Sequence, residues 1–72
     1  MRHQTQKVLD YLQSHQHGAS TIELRRELDI MHPSGRVDEL RQLGYNILTH
    51  WTNENQPTAR GRHRVARYVL LN

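Results

Sequence analysis

Three stripes of apolar residues at helical spacing, followed by two runs of strand composition, set the pattern of this chain. Thr5, Val8, Leu9 and Leu12 fall at i, i+3, i+4 and i+7, which predicts an amphipathic helix over about residues 4–15, with Lys7, Asp10 and Gln13 in water. The polar run from His15 to Gly18 reads as a connection, after which Ala19 can add one residue to a sheet. Ser20 stands three residues before Glu23, a capping box in which hydroxyl and carboxylate each satisfy a backbone N–H at a helix start. A second helix is expected over about residues 20–29, with Leu24 and Leu28 on one face and Asp29, which readily enters turns, at its end. Pro33 suits the first position of a third helix, about residues 33–43, because that position has no use for an N–H. Val37, Leu40 and Leu43 are its apolar residues, and Gly44 falls where a left-handed cap would end it. Only about four residues separate the last two helices, and each is too short to be stable alone, so they must cross and share a core.

Residues 45–52, Tyr45 to Thr52, are rich in aromatic and β-branched types and predict a strand; residues 63–71, with Val65, Ala66, Tyr68, Val69, Leu70 and Leu71, predict another. The polar, turn-rich segment Asn53 to Gly61 joins them as a hairpin with a long loop. The expected fold is α+β and mainly α, a three-helix core followed by a C-terminal β-hairpin, within a single domain over residues 1–72.

Composition narrows the function. A chain of 72 residues, 35% hydrophobic and without Phe, builds a small core of marginal stability, to which a second copy or a bound partner could add. The absence of cysteine excludes disulfides and thiolate metal sites and suits a reducing cytoplasm. There is no apolar run long enough for a membrane span or a signal peptide core. His15 and His17 form an H-x-H pair in a loop, but no second pair of ligands stands near them in sequence, so no metal or cofactor is expected. No nucleophile–base pair, paired carboxylates or phosphate-cradling glycine loop is visible, which argues against an enzyme. Net charge is +3, and the basic residues are unevenly placed: Arg60, Arg62, Arg64 and Arg67 lie in one acid-free run, whereas Glu23 to Asp29 is nearly neutral. An anionic partner fits that distribution.

The run TIELRRELDI-MHPSGRVDELRQLGYNI resembles the helix-turn-helix core of winged-helix DNA-binding proteins. With IMHP, RVDELR, GYNI and a final VARYVL in this order, the chain from Val8 to Leu71 is more narrowly similar to small helix-turn-helix proteins of phages and prophages. It departs from the usual motif in holding Asp29 where the turn often has Gly, although Asp tolerates the left-handed region better than most residues.

The resemblance implies double-stranded DNA as partner, with the third helix in the major groove and the hairpin as a wing on the phosphate backbone. Rotation by 100° per residue leaves Ser34, Gly35, Asp38 and Gln42 facing away from the core, with Arg36 and Arg41 on opposite flanks. Ser34 and Gln42 can bond base edges or phosphates, and Gly35 permits close approach. Ser20, Thr21 and Arg26 would touch phosphate from the second helix, and Arg60, Arg62 and Arg64 would clamp the backbone from the wing. Asp38 and Glu39 count against deep insertion, since a carboxylate repels phosphates, unless they pair with Arg41 and Arg36. The wing arginines could instead protect an edge strand. Trp51 is expected in the core or on the hairpin face, with stacking on a base as the alternative. Ile22, off the Leu24 face, either packs on a neighbouring segment or belongs to an interaction surface. The competing reading is a protein-binding winged helix that modulates a host or phage protein, which Ile22, Asp38 and Glu39 favour.

Overall fold

A computed structural model describes residues 2–55 and 62–71, with the side chains of residues 53–55 and 62–64 left aside. Helix α1 spans His3–Ser14 and strand β1 spans Ala19–Ser20. Helices α2, Thr21–Leu28, and α3, Pro33–Gln42, follow, and strands β2, Asn46–Asn55, and β3, Arg62–Leu71, complete the order.

Each helix boundary has a local cause. Ser20 Oγ accepts from the Glu23 N–H at 3.0 Å and starts α2. The Glu23 carboxylate accepts from Arg67 Nη2 at 2.7 Å, tying α2 to β3. Asp29 ends α2 in the left-handed conformation at φ 56°, ψ 41°, which Asp tolerates in place of Gly. Pro33 opens α3 after a non-helical His32 at φ −135°, ψ 72°. Gly44, at φ +104°, closes it: the Gly44 N–H donates to the Arg41 carbonyl and the Tyr45 N–H to that of Leu40, the two bonds of a Schellman cap.

The sheet is antiparallel in the order β1-β3-β2. Ala19 and Ser20 pair with Tyr68 and Arg67, so the short β1 adds two residues where one was expected. β2 and β3 pair from Asn46↔Leu71 at the base to Asn55↔Arg62 near the tip. The strands thus run three residues further than composition predicts at Asn55, and the loop shortens accordingly. Ten paired residues span roughly 33 Å, in keeping with a long axis of 38 Å against 22 and 20 Å for the others.

The core lies between the helices and one face of the sheet. Val8, Leu9 and Leu12 of α1 meet Leu24 of α2, Val37 and Leu40 of α3, and Ile47, Ala66 and Tyr68 of the sheet. Ile30 is buried with them, so the turn between α2 and α3 contributes an anchor that no helical stripe reveals. Leu43 is a correction. It was expected as a third anchor of α3, but the helix ends at Gln42 and Leu43, in the cap, is 59% exposed.

Candidate nucleic-acid interface

The outward surface of α3 follows from which of its residues are buried. Pro33, Val37 and Leu40 face the core, and Ser34, Asp38 and Gln42 on the opposite side are exposed. At the entrance to the helix Met31 is 81% exposed and His32 is also exposed. The His32 ring lies over Gly35: a Cβ added to that glycine would stand 2.3 Å from His32 Cδ2. The room expected at Gly35 for a close approach is occupied by His32.

The arginines of α3 are engaged within the protein. Arg36 forms an ion pair through Nη2 with Glu39 Oε1 at 3.0 Å, and its side chain is only 16% exposed. The same carboxylate accepts from the hydroxyl of the fully buried Thr5 and faces Arg2 at 3.8 Å. The Thr5 hydroxyl holds Glu39 below the usual carboxylate range; burial opposes this, and Arg36 and Arg2 reinforce it. Arg41 reaches across to the edge of β2, where Nε and Nη2 donate to the Ile47 carbonyl at 3.2 and 2.8 Å and Nη2 also donates to Thr49 Oγ1 at 2.7 Å. Its Nη1 lies 3.5 Å from Asp38 Oδ1. Both carboxylates of α3 therefore have the arginine partners that the spacing suggested. Beneath the sheet, burial pushes the Tyr68 hydroxyl above its ordinary range.

Helix α2 divides its candidates differently. Ser20 is buried and its hydroxyl is occupied by the Glu23 N–H, while the Thr21 hydroxyl donates to the Ala66 carbonyl at 3.3 Å. Ser20 is thereby closed off from a phosphate, and the Thr21 hydroxyl proton is committed to β3. Arg26 is exposed beside Glu27 at 3.5 Å, and Arg25, which the sequence reading passed over, is exposed next to it. Two successive arginines on a short helix whose apolar face is set by Leu24 and Leu28 were signal enough to find it. Ile22 is half-buried.

On the hairpin, Arg62 and Arg64 stand opposite Asn55 and Asn53 in the β2–β3 register. Their side chains, and Arg60 altogether, lie outside the described residues. Trp51 opposite Ala66 is 54% exposed, so it belongs to the hairpin face and not to the core. His15 stacks on Tyr11 with ring centroids 3.8 Å apart, and among the described residues no group of three or more His, Asp or Glu is placed to hold a metal ion. No helix among them is long and apolar enough to cross a membrane.

Two helices joined by a four-residue turn, a short strand before them and a long hairpin after them reproduce the expected plan. A family model for a winged helix-turn-helix domain matches residues 3–72. The chain belongs to that family. Nothing among curated proteins or solved structures matches it. In this winged helix-turn-helix domain α2 and α3 form the motif, β2 and β3 form the wing, and the family points to DNA as the partner. Among the described side chains, those left open to solvent on this motif include the outward stripe of α3 and the pair Arg25 and Arg26.

Proposed function

We propose that this winged helix-turn-helix domain is a small sequence-specific DNA-binding regulator of the kind found in phages, acting in the cytoplasm by occupying a short duplex site. The observation that carries this reading is the outward stripe of α3, which presents the exposed polar side chains of Ser34, Asp38 and Gln42, with the His32 ring over Gly35 at its entrance, to a major groove about 12 Å wide. Ser34 and Gln42 contact base edges or phosphates, Arg25 and Arg26 contact the backbone beside α2, and Arg60, Arg62 and Arg64 neutralise phosphates along the wing. A single domain makes few contacts, so a second copy on a neighbouring half-site strengthens occupancy. Transcription is blocked where the occupied site overlaps a promoter.

The test is fluorescence anisotropy of a labelled random-sequence duplex titrated with the protein at several salt concentrations. Binding at low salt that weakens steeply as salt rises is the expected outcome. No binding at low salt would end the DNA reading. A protein-binding role would then take its place, favoured by the exposure of Met31 and Leu43 around α3.

A further inference from the structure

The α3 stripe supports a statement about which base is read, resting on the DNA-binding reading above. Ser34, Asp38 and Gln42 stand at i, i+4 and i+8, about 6 Å apart along the helix axis. Arginine is the commonest reader of guanine, through paired donors to O6 and N7. Here neither arginine of the helix offers those donors: Arg36 is turned inward beside Glu39 and only 16% exposed, and Arg41 spends Nε and Nη2 on Ile47 and Thr49 of β2. The charged group left at the centre of the stripe is Asp38, whose side chain is 66% exposed.

A carboxylate only accepts hydrogen bonds. In the major groove cytosine N4 and adenine N6 donate, whereas guanine and thymine present acceptors and a methyl group. Adenine places its N7 acceptor beside the amino group, where it repels a carboxylate; cytosine places no acceptor there. Arg41 Nη1, 3.5 Å from Asp38 Oδ1, offsets part of the negative charge among the phosphates. We infer that Asp38 is the specificity-determining residue of this domain and selects a cytosine at the centre of its site.

Selection of bound sites from a randomised duplex library by the wild-type protein, Asp38→Asn and Asp38→Ala tests the assignment. The wild-type sites share one cytosine; Asp38→Asn, which can both donate and accept, exchanges it for adenine with the other positions unchanged; Asp38→Ala loses preference there. On matched duplexes, replacing that cytosine by thymine weakens wild-type binding roughly five- to hundredfold and leaves Asp38→Ala nearly unaffected. The same selected site for all three proteins would overturn the assignment while DNA binding stands. So would a uniform loss of affinity for every duplex in variants that circular dichroism finds folded. If the wild-type protein binds no duplex at low salt, the DNA reading fails and the assignment with it.

Discussion

At Gly18 the backbone is left-handed, φ +79°, and a Cβ built there would sit 2.0 Å from the carbonyl oxygen of Tyr68. Any side chain at this position must push β1 away from β3. Gly44 is also left-handed, at φ +104°, but meets nothing within 4 Å. The two glycines therefore separate conformational strain from contact. Gly44→Ala should lose about 1 kcal/mol, the cost of placing a Cβ in the left-handed region, and Gly18→Ala about 2–3 kcal/mol or more, since backbone atoms must also move. Urea denaturation of both variants measures the difference, and equal losses would rule out the close approach at Tyr68. The conformation of Asp29 was legible beforehand, because helix ends are local events decided by a few neighbouring side chains. So were Ser20 as a cap and Pro33 as an opening residue. The clash at Gly18 was not, because it depends on a strand fifty residues away.

Between elements, the joint of α1 with α3 rests on Glu39, which gathers the Thr5 hydroxyl and the Arg36 guanidinium on one carboxylate. Its folded pKa lies below the ordinary 4.5 chiefly because the Thr5 hydroxyl donates to the charged form. The charged carboxylate therefore contributes stability above the unfolded pKa, and that contribution is lost as pH falls through the folded value. Glu39→Gln should be less stable than the wild type near neutral pH and lose less on acidification, so that urea midpoints of the two proteins converge as pH falls through the lowered folded pKa of Glu39. Parallel curves would mean that the charge at Glu39 does not hold the joint. The pairing of Glu39 with Arg36 was legible from their spacing on one helix. The burial of Arg36 was not, since it depends on α1 lying across that face. The outward direction of Ser34, Asp38 and Gln42 was likewise legible from helical rotation alone, whereas Leu43 was misjudged because the helix stops one residue before it. Ile30 escaped notice because it belongs to a turn, where no period marks an inward residue.

For the molecule as a whole, the positive charge available to a partner is concentrated away from α3. Replacing Arg60, Arg62 and Arg64 together by Ala should weaken DNA binding by a similar factor for every sequence and reduce the salt slope by up to about 0.9 per lost phosphate contact. Anisotropy titrations on two unrelated duplexes measure both quantities; an unchanged slope would remove the wing from the interface. The full length of the wing was not legible, because Asn53, Glu54 and Asn55 have little strand preference and pair with β3 by continuing a register set at the base. Nor was the role of Arg41, whose partner Ile47 is near in sequence but lies on another element. That arginine has one more consequence. β2 is an outer strand of the sheet, and an outer strand offers its free backbone groups to any extended chain that drifts past. By filling the Ile47 carbonyl, Arg41 blocks one of the places where a foreign strand would have to start adding itself. The guanidinium that is withheld from guanine thus helps keep the sheet from growing into a polymer.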